Sequence, residues 1–381
     1  MKLILSISLF LLTFSQSWGQ NAVKQTKQQT RFFYTQLNLH GGYINDLNGG
    51  RIDVTNRAPK NQLAFQFFSK NKRQLQKGYV RTLSLNSSQI RFSIPFNKTI
   101  NALGQKEADF KLQVLDTWLK FSTKWDRTTL WIGNKSIPYG HNPSLDPVSS
   151  FMTNLIKMDI GFVQDLGVFI KTPISNNFDM ELSLTSGGAL NKPVLVCDNL
   201  ISDQSTGIDP IFSFANYAYD NTWLLTSHIG NPTFKKDEFG INVVSGRISN
   251  TLIPDDFVII NRVGGDWVHK HYEKFKVTNQ LTLGHTLSDK EGAFASLHYQ
   301  SSVDLFIRNR FFITTSFACN YLNSFSSGLY HFNYTSATSF TYSFSPHTRL
   351  RVNNYYSSVV ELDEKRWGVL LQFVIGVGKR P

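Results

Sequence analysis

The chain has 381 residues and a formal net charge of +12; 41% of its residues are hydrophobic, 17% charged and 14% aromatic, with 31 Phe, 14 Tyr, 7 Trp and 2 Cys. Beyond the N-terminal twenty or so residues no apolar run approaches the roughly 18 that a membrane helix needs, which excludes helical spanning. Neither Cys197 nor Cys319 lies near a cleavage site, which excludes lipoprotein anchoring there.

The N-terminus sets Lys2 before an apolar run from Leu3 to Phe14, then Ser17, Trp18 and Gly19. This is the pattern of a secretory signal peptide over residues 1–19, cut before Gln20, and too short to be retained as a spanning helix. Residues 20–31 are rich in Gln and Lys without apolar period and read as a periplasmic lead-in. One barrel domain, 32–381, is expected to follow.

From there the chain repeats strands of about ten residues, apolar and polar in alternation. Phe178, Met180, Leu182 and Leu184 share one face, while Asp179, Glu181, Ser183 and Thr185 share the other. About sixteen such segments lie near 33–43, 61–69, 79–94, 110–124, 127–135, 166–173, 178–187, 222–231, 238–248, 257–268, 272–285, 292–302, 304–320, 333–344, 347–357 and 366–377. In the third, apolar parity slips between Leu83 and Leu85 on one side and Ile90, Phe92 and Ile94 on the other, indicating a bulge or a short hairpin.

Short turns are expected at Trp125-Asp126, Ser175-Asn176-Asn177, Asn231-Pro232, His269-Lys270-His271, Ser302-Val303 and Ser345-Pro346, after even-numbered strands. Long connections follow odd-numbered strands, above all 136–165 and 188–221. Alternate short and long connections with an even strand count define an all-β, transmembrane antiparallel β-barrel of about 16 strands, its short turns and both termini periplasmic and its long loops extracellular. A soluble β-sandwich or propeller also alternates, but it needs a second packed layer for which the sequence offers no candidate.

A basic balance by itself speaks only of solubility or nucleic-acid binding; the strand map allows a sharper reading. Lys120, Lys124, Lys171, Lys274, Lys276, Arg308, Arg310, Arg349 and Arg351 fall on the water-facing parity toward the periplasmic ends of their strands. The long loops are acidic instead. A basic ring in a narrow aqueous lumen selects anions, whereas a chance excess of polar lumen residues selects nothing.

The third long connection opens Gly133-Asn134-Lys135-Ser136-Ile137-Pro138-Tyr139-Gly140-His141-Asn142-Pro143, a stiff, turned segment. In this passage, and in strand count and loop order, the chain resembles the Gram-negative porins. It departs from them in ending Gly-Lys-Arg-Pro, where many barrels end in an aromatic residue, and in lacking an acidic Pro-Glu-Phe-type loop signature. The resemblance implies that loop 136–165 folds into the lumen as a constriction through Pro138, Tyr139, Gly140, His141 and Asp146, with Lys135 and Arg262 adding to the basic lining. It further implies export to the outer membrane and passive diffusion of small hydrophilic, anionic solutes. The alternative is a non-conducting barrel that serves surface polysaccharide (capsule) assembly or binding.

His141, Ser144 and Asp146 are the residue types of a hydrolytic triad, but neighbours in one loop rarely hold triad geometry, so no enzyme is expected. His269 and His271 flank Lys270 and could ligate a metal, but a solvated turn accounts for them; no metal or cofactor is expected. Cys197 and Cys319 fall on the same extracellular side and could pair; the other reading is two free thiols, with Cys319 facing lipid. The expected partners are outer-membrane lipid, lipopolysaccharide and small anions, with self-association left open and no nucleic acid.

Overall fold

In the computed structural model the alternating segments become the staves of one closed wall. The structure describes residues 28–46, 62–72, 84–95, 98–100, 106–108, 113–114, 117–122, 128–140, 164–187, 221–231, 237–249, 257–271, 274–290, 292–308, 310–325, 328, 330–345, 347–360 and 364–378. Residues 1–19, expected to be a signal peptide, lie outside them. The strands are β1 (Gln28–Asp46), β2 (Gln62–Lys72), β3 (Ser84–Pro95), β4 (Lys98–Ile100), β5 (Lys106–Ala108), β6 (Gln113–Val114), β7 (Thr117–Ser122), β8 (Thr129–Ser136), β9 (Gln164–Pro173) and β10 (Asp179–Thr185). They continue as β11 (Trp223–Gly230), β12 (Asp237–Ser249), β13 (Phe257–His271), β14 (Phe275–Ser288), β15 (Gly292–Arg308), β16 (Phe311–Ser324), β17 (Tyr330–Ser345), β18 (Thr348–Val359) and β19 (Glu364–Gly378).

Seventeen of these form a single antiparallel sheet, and β6 and β7 share one place beside β3, so the wall has sixteen positions. β4 and β5 form a separate hairpin. Apart from β3, which pairs with β6 and β7 past the β4–β5 hairpin, the strands of the sheet pair with their sequence neighbours, and β1 closes the ring against β19 from Tyr34↔Gly378 to Asp46↔Arg366. Closure leaves no sheet edge, so the backbone groups of the wall are satisfied within it.

Period two then sorts the side chains onto two faces. Outward lie Val168, Ile170, Leu184, Leu225, Ile241, Val243, Leu281, Leu283 and Leu371, all exposed. Inward lie Gln36, Ser183, Thr226, Asn242, Thr282, Gln300, Ser316, Asn353 and Gln372, all buried. This inverts a soluble protein, where so large a continuous apolar surface is rare. A closed wall with this surface is not a sandwich: among the described residues no second sheet covers the apolar faces.

Aromatic rings cluster on the outer face near both rims, as a membrane interface favours. At the rim that carries the short turns, Phe33 meets Phe67, Phe178 meets Phe239, and Tyr342 meets Phe344, which meets Phe373. Toward the other rim, Tyr321 stacks with Tyr330, and Tyr334 contacts both Phe332 and Tyr356.

The slipped parity of the third segment is a β-bulge. Leu85 pairs with Phe121 but Ser87 pairs with Lys120, so Asn86 is the extra residue and one strand, not a hairpin, occupies the segment. The turn at 174–177 forms where expected: Ile174 N–H donates to Phe178 O at 2.9 Å and Asn177 N–H donates to Ser175 Oγ at 3.2 Å. β17 ends at Ser345 and β18 begins at Thr348, and between them His347 N–H donates to Ser345 Oγ at 3.2 Å.

Other expectations need correction. Ser302-Val303 is not a turn but the middle of β15, paired with Thr278-Val277 and with Ser316-Thr315. Polar residues there line the inner face instead of breaking the strand. His269-Lys270-His271 closes β13, and the turn lies just beyond it, with Lys274 N–H bonded to His271 O at 2.7 Å. Gln28 to Arg31, read from sequence as lead-in, pair with Lys72 to Ser69 of β2. Trp125-Asp126 lies outside the described residues.

Candidate functional site

The inner face is the candidate site, and its central feature is the chain that enters it after β8. Ile137, Pro138 and Tyr139 turn inward and are buried. Ile137 and Tyr139 join one apolar cluster with Leu224 of β11, Val244 and Ile248 of β12, and Val258 and Ile260 of β13. Those strands carry apolar residues on both faces at this level, as in Leu224-Leu225, Val243-Val244 and Val258-Ile259-Ile260. A run without alternation marks a strand covered on both sides, and this signal in the sequence locates where the entering segment lands.

Polar contacts fix the segment. Tyr139 Oη donates to Thr282 Oγ1 at 3.1 Å, and Gly140 N–H donates to Asn242 Oδ1 at 2.8 Å. Asn242 Nδ2 in turn donates to Asp266 Oδ1 at 2.7 Å, and His228 Nε2 stands 3.5 Å from that same oxygen. Two glycines make room. A Cβ on Gly264 would lie 2.9 Å from Tyr139 Oη, and one on Gly140, at φ +65°, would collide with the Gln280 amide.

Two groups of charges stand out on the inner face. On the β12–β14 side they are compensated: Lys270 pairs with Glu238, and Arg262, 3% exposed, donates to Asn261 O, His285 O and Thr286 Oγ1 at 3.0, 3.2 and 3.0 Å. Arg262 is thus bound into the wall. On the β2–β10 side, Lys120 lies within electrostatic reach of Lys135, Lys70 and Lys171, with Glu181 the opposing charge. Lys171 Nζ stands 2.6 Å from Glu181 and 3.6 Å from Asp179. Lys120 and Lys135 lie over the Trp131 ring at 4.9 and 5.1 Å, and Lys135 also over Phe169 at 5.1 Å.

The basic residues read from sequence therefore scatter. Lys120, Lys135 and Lys171 converge. Lys276 is inward on β14, paired in register with Asp304 of β15, whose carboxylate accepts from Thr314 at 2.6 Å. Arg349 lies over Phe312 at 5.6 Å, while Arg351 is buried and donates to Thr341 Oγ1 at 2.9 Å and Gln372 Oε1 at 3.4 Å. Lys274 and Arg310 are in turns, not on the wall, because β13 ends at His271 and β15 at Arg308. Arg308 is the last residue of β15. Lys124, His141, Ser144, Asp146 and Cys197 lie outside the described residues. Cys319 is a free thiol on the outward parity of β16, beside Tyr299 and Tyr334. His269 faces outward, pairs with Asp237 and stacks on Trp267, so it belongs to the rim and not to a solvated turn.

These features define the class: a sixteen-strand porin-type barrel with a segment folded into its interior. No protein-family model matches the chain, and no curated protein matches its sequence. Solved structures do match the fold. An outer membrane protein of Vibrio cholerae, OmpT with loop L8 deleted, aligns with TM-score 0.58 and 10% identity over 91% of this chain and 99% of that one. The anion-selective porin of Comamonas acidovorans aligns with TM-score 0.57 and 9% identity over 92% and 100%. The outer membrane channel DcaP of Acinetobacter baumannii aligns with TM-score 0.54 and 10% identity over 92% and 97%. The fold is that of the Gram-negative outer-membrane porins.

Proposed function

We propose that the chain is an outer-membrane channel through which small hydrophilic anions diffuse passively. The observation that carries this reading is the cluster of Lys70, Lys120, Lys135 and Lys171 on the inner face, with the carboxylates of Asp179 and Glu181 beside it. Like charge inside a low-dielectric wall concentrates counter-ions and excludes co-ions. The inward segment at Ile137–Gly140, packed against β11–β13, serves as the root of a constriction, so a solute passes between it and the lysines. With the short turns and termini in the periplasm, the lysine cluster lies toward the periplasmic end, and the protein reaches its membrane through the signal peptide. Its similarity in fold to the anion-selective porin of Comamonas acidovorans is consistent with this reading.

Purified full-length protein in a planar bilayer under a potassium chloride gradient tests the function. The expected zero-current potential lies toward the chloride equilibrium potential. A potential on the potassium side would overturn anion preference, and absence of conductance would overturn the channel.

A further inference from the structure

A wall that faces water should be polar, yet on the β1–β7 side three rings face inward in one register row. Phe32 pairs with Phe68, Phe68 with Gln89, and Gln89 with Trp118. The Phe32 and Phe68 centroids are 6.0 Å apart at 38°, and those of Phe68 and Trp118 are 6.3 Å apart at 77°. All three are half-buried, so apolar ring surface remains uncovered on the inner face. Between them Gln89 is held by Gln66, whose Nε2 donates to its Oε1 at 3.0 Å.

The next inward row toward the short-turn end holds Lys70, Ser87 and Lys120, paired in that order. Two residues along a strand are about 7 Å, so both ammonium groups stand one step from the rings on flexible stems. Lys70 is exposed. The row pairs a flat apolar surface with positive charge at a fixed offset, and that is the complement of an aromatic ring bearing a carboxylate.

We propose that Phe32, Phe68 and Trp118, with Lys70 and Lys120, form a binding site for small aromatic carboxylates, which rests on the anion-channel reading. The ligand ring lies against Phe68 and Trp118, and its carboxylate reaches Lys70 and Lys120. An aliphatic carboxylate lacks the ring that the stripe covers, and a neutral aromatic lacks the charge.

Equilibrium dialysis of full-length protein in detergent against radiolabelled benzoate tests the site, with folding followed by heat-modifiable migration. Saturable binding is expected, displaced by unlabelled benzoate at least about tenfold more effectively than by acetate or benzyl alcohol, and weakened about tenfold in both Trp118→Leu and Lys120→Gln. Phe68→Leu and Lys70→Gln serve where either variant does not fold. Equal displacement by acetate or by benzyl alcohol, undiminished binding in the variants, or no saturable binding overturns the site. Conductance is read separately. A conducting protein that does not bind benzoate overturns the site alone, whereas benzoate binding without conductance supports the site and overturns the channel.

Discussion

The backbone N–H of Gly140 donates to Asn242 Oδ1 at 2.8 Å, tying the segment after β8 to a strand 102 positions later. Asn242 spends its other end on Asp266, so one side chain satisfies the entering backbone and a wall carboxylate together. Asn242→Ala leaves both without this partner, at a cost of about 1–3 kcal/mol per buried polar group. The expected outcome is a looser segment, seen as larger and noisier single-channel conductance; unchanged conductance would mean that the contact does not hold the constriction.

A Cβ at position 264 meets Leu281 O at 2.7 Å and Tyr139 Oη at 2.9 Å, and the backbone oxygen cannot retreat. Gly264→Val should therefore expel the Tyr139 ring and cost about 1–3 kcal/mol by overpacking. A fall in the urea midpoint, smaller when the valine is placed in the Tyr139→Ala variant, checks this.

Reversing charge at the lysine cluster should reverse the filter. Lys120→Glu with Lys135→Glu places carboxylates where two cations lie over Trp131, and the zero-current potential is expected to move toward potassium. Glu181→Gln removes the carboxylate 2.6 Å from Lys171 and should move it further toward chloride. The two shifts, opposite in sign, are read in the same salt gradient and shrink as ionic strength rises.

Leu281 points outward in mid-strand and is 44% exposed. Arginine at such a depth costs about 2–4 kcal/mol in a bilayer. Leu281→Arg should lower the folded fraction in lipid vesicles, measured by heat-modifiable migration, whereas Leu281→Phe should leave it near the parent value.

Cys319 offers an independent check on which side of the wall is which. It sits on the outward parity between Tyr299 and Tyr334. A maleimide that partitions into lipid should label it in vesicles, and a permanently charged, water-borne thiol reagent should not. Labelling by the charged reagent alone would place this face in water.

Most of the wall is legible in the sequence because a strand with water on one side and lipid on the other writes its period directly into residue order. Even the bulge at Asn86 shows as a phase slip between Leu85 and Ile90. The misread positions are those where barrel physics departs from soluble habits. Ser302-Val303 reads as a turn, but a hydroxyl such as that of Ser302, opposite Ser316, is ordinary on an inner face. His269 and His271 look solvated, yet their rings lie against Phe275 at the rim. Of the inward segment, Pro138, Tyr139 and Gly140 are recognisable, but not Asn242, Asp266 and Thr282, because contacts across a hundred or more positions leave no local pattern. The aromatic row escapes for the same reason, since its rings lie on three different strands.

Apart from β3, which pairs with β6 and β7 past the β4–β5 hairpin, every pairing in the sheet joins strands adjacent in the chain, save the closure of β1 on β19. Local pairs form at low entropic cost, while that last one must bring together the two ends of the sheet. Assembly thus resembles a zipper that ends in a single buckle. Removing the final strand would not merely shorten the barrel: it would leave two unpaired edges at once, and the membrane tolerates neither.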